Sequence, residues 1–384
     1  MRNGCAWNHA ASFLTIKTMP QHLKKLGYRV GIAGKVHVTP ESAFPFEKVK
    51  GFDSNCPRNP TRPHDVKPIT RFMERDKSQP FCLVVALTEP NVPWVMGDAS
   101  KYPANKLKLP SNIADISRTR QRYGKYLAEI TDMDGQVDDI LQALDRSGQA
   151  DTTLVIFSSE QGTQFPGCKW TNYDTGLHTA LIARWPGVVA GGNLTDAIVQ
   201  WVNVLPTFLD AAGGEPASGD FDGTSFLPVL AGKKEKHRKF AYGVHNNVPE
   251  GPPYPIRTVT DGRYRYIRNL RPDEIYIEKH LMGPENQYWA SWLNRAYSKP
   301  EVYDLVKRYM MRPAEELYDL RADPFELKNL VDHPDLADTR EKLSRELDRW
   351  LKEQGDPGIP QDTQKALDAA RKGKHLYGKP TTAK

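Results

Sequence analysis

The sequence predicts an α/β fold: a mostly parallel sheet sandwiched by helices, followed by a smaller C-terminal α+β subdomain. Three observations carry this reading. A continuous apolar run at residues 81–87, and a second strand at 153–158 with an apolar centre at 154–157, lack polar alternation and suit strands covered on both faces, as in a parallel sheet. Helical periodicities alternate with the strand-like runs, and each run ends in a turn with polar groups. After about Gly214, glycine, proline and charged residues become frequent and the pattern changes.

In chain order, Thr18-Met19-Pro20 opens a helix, with Thr18 as N-cap and Pro20 in the first turn. Leu23 and Leu26 give it an apolar face and Gly27 stops it. Residues 28–33 read as a strand ending at Gly34-Lys35-Val36-His37. The run 81–87 ends in Thr88-Glu89-Pro90-Asn91-Val92-Pro93-Trp94. From about 120 to 145, Tyr123, Leu127, Ile130, Val137, Ile140, Leu141 and Leu144 recur near helical spacing. The run 153–158 ends in Ser159-Glu160-Gln161-Gly162, and a further strand at 181–185 is closed by Pro186-Gly187. Residues 263–268 alternate like a strand with one wet face, and a helix from about 336 to 353 closes the fold. The organisation expected is 1–214 as the main domain, 215–357 as the remainder of the fold with its subdomain, and 358–384 as a basic, flexible tail.

Composition bounds the function. No run of about eighteen apolar residues exists, so no membrane span is expected. The net charge of +6 is modest, and no aromatic-basic module points to nucleic acid. Part of that charge lies in the tail (Lys365, Arg371, Lys372, Lys374, Lys379 and Lys384), which reads as a solvated end or as an attraction to polyanions. Cys5, Cys56, Cys82 and Cys168 match no zinc spacing. Cys82 reads as a buried hydrophobe, and disulfide pairing among the others is not readable.

Ligands of open α/β sheets bind beyond the carboxyl ends of the strands. Lys35, His37, Glu160, Gln161 and Lys169 all fall there or in the following loops. A carboxylate beside a carboxamide offers oxygens to a hard cation, Ca²⁺ or Mg²⁺. Two lysines supply point charges for an oxyanion, and a histidine can move a proton near neutral pH. Together they suit hydrolysis of a sulfate or phosphate ester. Singly, each has a plainer role as a surface lysine, a loop histidine or a turn residue.

The motifs narrow this. Gly34-Lys35-Val36-His37-Val38 resembles the Gly-Lys-Trp-His motif of sulfatases in the alkaline-phosphatase superfamily. Residues 154–162, ending Ser158-Ser159-Glu160-Gln161-Gly162, resemble the family's strand ending in Ser-Asp-Asn/His-Gly. Cys168-Lys169-Trp170-Thr171, the segment Glu316-Leu317-Tyr318-Asp319 and its continuation to Leu330, and residues 256–267 follow in family order. The resemblance implies an alkaline-phosphatase-like fold. It makes Lys35, His37 and Lys169 catalytic and makes Glu160 and Gln161 calcium ligands. Phe44-Pro45-Phe46-Glu47, Phe165-Pro166 and Tyr254-Pro255-Ile256-Arg257 bring the sequence nearest to heparan N-sulfatase-like members. That subgroup implies a sulfated, glucosamine-containing glycan as substrate and partner, with Asn91, His245 and Arg257 as substrate contacts. It also implies a periplasmic or secreted location.

The sequence departs from the family in three places. The family nucleophile is a formylglycine made from the first residue of Cys/Ser-x-Pro/Ala-x-Arg, and Cys56-Pro57-Arg58-Asn59 has the wrong offsets. No segment before Lys35 matches the family's first strand with its Asp-Asp metal pair. The expectation is a late start, with the nucleophile upstream, the chain as given inactive, and calcium held poorly by Glu160 and Gln161 alone. Asn91 stands where the family has a histidine; asparagine can hydrogen-bond but cannot transfer a proton. The alternatives are a catalytically dead, glycan-binding sulfatase-like protein, or a related phosphodiesterase or phosphoryl transferase.

Overall fold

The computed structural model describes residues 3–5, 7–8, 10–54, 61–216, 219–283 and 287–371. Cys56 and the basic residues from Lys372 onward lie outside them. The N-terminal half begins with α1 (Met19–Lys25), β1 (Arg29–Gly34), β2 (Glu47–Val49), α2 (Lys67–Glu74), β3 (Phe81–Ala86) and α3 (Ser117–Arg146). It continues with β4 (Val155–Ser158), α4 (Asp174–Leu177), β5 (Leu181–Arg184), α5 (Val204–Ala211) and α6 (Leu227–Leu230). The C-terminal part holds β6 (Ala241–His245), β7 (Ile256–Thr260), β8 (Tyr264–Asn269), α7 (Gln287–Ala296), α8 (Pro300–Met310), β9 (Glu315–Asp319), α9 (Ala337–Gln354) and α10 (Gln364–Arg371).

β1 pairs in parallel with β2 on one side and β3 on the other. Helices cover both faces, because alternate side chains of a strand point opposite ways. Leu23 of α1 and Leu209 of α5 pack on Val30, with Cys82 beside them. Met73 of α2 and Ala143 and Leu144 of α3 take the other face, against Phe81, Leu83 and Val155. α1 starts as expected: the Gln21 side chain accepts the Thr18 amide at 2.8 Å, and Gly27 leaves the helix at φ 83°.

Two strands differ from the full burial their apolar runs predict. β3 and β4 are half-buried along their length. Among the described residues, β3 is the outer strand of its three-stranded sheet, and β4 pairs only with β5, antiparallel, in a separate ladder. Each therefore has one edge outside any ladder, and apolar residues beside it stay partly wet.

The C-terminal part is built on an antiparallel sheet in the order β6-β7-β8-β9. The wet face expected for residues 263–268 is not there. Arg265, Tyr266 and Ile267 are all buried. Leu343 and Leu347 of α9 cover Tyr266 and Val259 on one face. On the other, Ile256 and Ile267 join an aromatic core with Trp289, Trp292 and Tyr309 from α7 and α8. The alternation signals wet-and-dry faces only when nothing covers the polar side. Here Arg265 is buried and paired with Asp174 and Glu326.

Cys5, Cys82 and Cys168 are free. Among the described residues, no helix is long and apolar enough to cross a membrane.

Candidate active site

The chain leaves β1 through Gly34 at φ 83°, where a Cβ would lie 2.1 Å from the Ala86 carbonyl oxygen. Only glycine allows that approach. It lets the Lys35 amide donate to the Ala86 carbonyl at 2.8 Å, which fixes the loop against the end of β3. From there the Lys35 ammonium reaches the loop after β4 and lies 3.6 Å from a Glu160 carboxylate oxygen. His37 is exposed on the same loop, two residues on.

Glu160, Gln161 and Lys169 sit in the β4–β5 connection. A Cβ on Gly162 would lie 1.8 Å from the Thr175 carbonyl oxygen, so glycine lets this loop fold back on itself. The Lys169 amide donates to the Thr163 carbonyl at 2.9 Å, returning Lys169 to the stretch just after Glu160 and Gln161. Lys169 Nζ lies 4.6 Å from the centre of the Trp170 ring. Trp170 takes φ 63°, a left-handed conformation uncommon outside glycine and most often held where function needs it. Asn91, half-buried in the loop after β3, donates its side-chain amide to the Val92 carbonyl at 3.1 Å.

The structure thus brings Lys35 and Glu160 into direct contact and ties Lys169 to the same loop. The Glu160 side chain is 71% exposed. Such a pair is worth at most about 1 kcal/mol, so its charges can readily take a ligand instead.

His245 and Arg257 form a second group, on β6 and β7. The Arg257 guanidinium is fully buried and binds the equally buried Asp356 through two nitrogens. It also donates to the His245 carbonyl and to the Asn246 side chain, each at 3.0 Å. Its donors are occupied, so its place in this structure is to hold the His245 segment. Burial, aided by the nearby Arg312 and Arg257 charges and despite a hydrogen bond that the ring donates to the Asn247 side-chain oxygen, pushes the His245 imidazole down to about 4. It is neutral at pH 7, a hydrogen-bonding group and not a cation. The Tyr276 hydroxyl lies 3.4 Å from His245 Nε2 and donates to the Trp170 carbonyl at 2.5 Å. That links the His245 group to the residue beside Lys169.

Calcium takes about six to eight oxygens, several of them from carboxylates. Glu160 and Gln161 offer two side chains, with the Glu160 carboxylate beside Lys35. Among the described residues no group of three or more acid, histidine or cysteine ligand atoms includes Glu160, and the one such compact group is Glu250, Glu278 and His280. The described residues therefore do not fit a calcium site at Glu160 by themselves. Nor are Cys82 and Cys168 poised nucleophiles: burial pushes Cys82 up to about 12 and Cys168 to about 11.

Sequence reasoning missed Trp170, Tyr276 and Asp356. Their roles depend on partners far away in the chain. Only the aromatic residue next to Lys169 offered any signal.

Comparison with known proteins agrees with this architecture. The sequence profile described as "Sulfatase" matches residues 7–214, and "N-sulphoglucosamine sulphohydrolase, C-terminal" matches residues 168–278. An ulvan-active sulfatase of Formosa agariphila is 32% identical over 93% of this chain and 68% of its own length. The N-sulphoglucosamine sulphohydrolase of Homo sapiens is 26% identical over 92% of this chain and 77% of its own. The solved structure of BT4656 with its substrate D-glucosamine-2-N,6-O-disulfate shares the fold, with a TM-score of 0.68 at 18% identity, covering 93% of this chain and 88% of that one.

Proposed function

Because this chain belongs to the sulfatase family of enzymes, we propose that its strand-end residues bind the sulfate group of a sulfated sugar, a glucosamine-containing glycan in particular, for hydrolysis of its sulfate ester or sulfamate. The observation that carries this reading is the 3.6 Å approach of Lys35 to Glu160 across two strand ends, with Lys169 on the second loop. Lys35 and Lys169 oppose the charge of the sulfuryl oxygens, as fixed cations do for a transferring group. Asn91 donates a hydrogen bond and cannot transfer a proton. Of the strand-end set, His37 is the group that can carry one at neutral pH. His245, neutral and held by Arg257 and Tyr276, suits recognition of sugar hydroxyls. Glu160 and Gln161 are the oxygen donors that this chain would offer to calcium. The human sulphohydrolase and the disulfate-bound neighbour act on or hold glucosamine sulfates, which favours that sugar class. The same reading places the protein in the periplasm or outside the cell.

Calorimetric titration with glucosamine N-sulfate, glucosamine 6-sulfate and unsulfated glucosamine tests this, with sulfate release followed in parallel. The sulfated sugars should bind and glucosamine should not. Lys35→Ala and Lys169→Ala should each weaken binding at least tenfold. Equal affinity for glucosamine and its sulfates would overturn the assignment. Preference for a phosphate ester of the same sugar would favour the phosphoryl-transfer class.

A further inference from the structure

Away from the strand-end residues, three side chains converge where the segment after β6 meets residues 276–282. His280 Nε2 lies 2.9 Å from Glu250 Oε2 and 3.7 Å from Glu278 Oε1. One ligand atom from each of Glu250, Glu278 and His280 lies within 4.8 Å of the others. We propose that Glu250, Glu278 and His280 form a binding site for a divalent transition-metal ion of the zinc class, separate from any calcium bound at Glu160.

Two independent features support a ligand here rather than a plain ion-pair cluster. The Glu278 side chain is completely buried, and its Oε2 has no hydrogen-bond partner although Oε1 accepts the His280 amide. A buried carboxylate oxygen without a partner is costly, and a metal ion would supply one. The His280 ring is also held in place: it stacks on Trp170 with planes 1° apart and centres 4.7 Å apart, leaving Nε2 facing both carboxylates. An imidazole fixed by its surroundings is an effective metal ligand.

The electrostatics are compatible. The Glu250 carboxylate already meets His280 Nε2 at 2.9 Å, the Lys279 ammonium at 2.7 Å and the Asn8 side-chain amide at 2.6 Å. The group that now matches Glu250 is the Lys279 ammonium at 2.7 Å, on a side chain that is 57% exposed and can swing into solvent. One imidazole nitrogen with two carboxylates is a zinc-type donor set, and too few oxygens for calcium. The ion would tie the β6–β7 loop to residues 278–280 and back the Trp170 ring, whose neighbour is Lys169.

The test is calorimetric titration of the chelator-treated chain with ZnCl₂, with CaCl₂ and MgCl₂ as controls. One zinc ion should bind per chain, with calcium and magnesium at least a hundredfold weaker. Glu278→Gln keeps the side-chain shape and should weaken zinc at least tenfold. Lys279→Ala removes the competing ammonium and should tighten zinc several-fold. The second variant keeps the test decisive if the first folds poorly. The proposal falls if calcium binds as well as zinc, if zinc binding is insensitive to Glu278→Gln in a folded variant, or if Lys279→Ala leaves it unchanged. Because the readout is metal binding alone, it stands or falls separately from sugar binding.

Discussion

The charged residues at the ends of β1 and β4 and those within the C-terminal sheet are of the same kinds but in opposite states. Lys35 meets Glu160 at 3.6 Å, and that carboxylate is 71% exposed. Arg257 meets Asp356 with both side chains buried, and its other donors are taken by backbone and Asn246. β7 is buried throughout, whereas β3 and β4 are half-buried. The difference teaches where a ligand can bind. Charges already matched in a dry interior hold the scaffold, and charges loosely matched at a wet strand end are available for exchange.

The largest effect that would break this comparison is at Arg257. Arg257→Ala leaves Asp356 buried without its partner, which should cost about 3–5 kcal/mol in urea unfolding. A loss under about 1 kcal/mol would mean that the buried pair is not what holds the β6–β7 region. A matched pair of apolar truncations comes next. Val259 in β7 is completely buried and Val84 in β3 only half-buried. Val259→Ala should cost about 2–3 kcal/mol, from lost burial and a residual cavity, and Val84→Ala about 1 kcal/mol or less. Equal costs would show that β3 is as well packed in solution as the C-terminal sheet.

Sequence reasoning reached one of these regions better than the other, for a physical reason. Glycine turns after apolar runs mark strand ends, so Lys35 and Glu160 could be expected together from local signals alone. The full burial of residues 81–86 and 155–158 was not legible correctly, because an apolar run reports what a strand can bury and not which neighbours flank it. In the C-terminal part the decisive contacts are remote. Arg257 and Asp356 are 99 residues apart, and Tyr276 and Trp170 are 106. No local pattern announces such pairs. The wet face expected of β8 failed likewise, because Asp174 and Glu326, which pair with the buried Arg265, lie far from it in the chain.

A third prediction tests an exception on the open side. Glu129 in the middle of α3 is buried, and its Oε2 has no hydrogen-bond partner. Burial, with the neighbouring Glu89 charge adding, pushes it up to about 8. Between its ordinary value near 4.5 and about 8, the folded chain keeps a proton that the unfolded chain has lost. This group's contribution to stability is therefore complete below about pH 4.5 and is lost as pH rises through 8. Glu129→Gln should gain on the parent between pH 5 and pH 9, by an amount on the order of a few kcal/mol. Parallel stability curves for parent and variant would remove Glu129 from the account.

The smallest change in stability should accompany the clearest change in binding. Lys35 is mostly shielded, but its partner Glu160 faces water, so removing the ammonium strands no buried charge. Lys35→Ala should shift unfolding by no more than about 0.5 kcal/mol, as for most exposed ion pairs. Its affinity for glucosamine N-sulfate should nevertheless fall at least tenfold, about 1.4 kcal/mol. Glu160→Gln separates the two readings of this pair. If Lys35 serves mainly to balance Glu160, neutralising Glu160 leaves sugar binding unchanged or weaker. If Lys35 is held ready for a sulfate, Glu160→Gln frees the ammonium and binding in chelator-treated buffer tightens. A Lys35→Ala variant that lost several kcal/mol of stability with sugar affinity intact would reverse the comparison, making the strand end a scaffold like the interior of the C-terminal sheet.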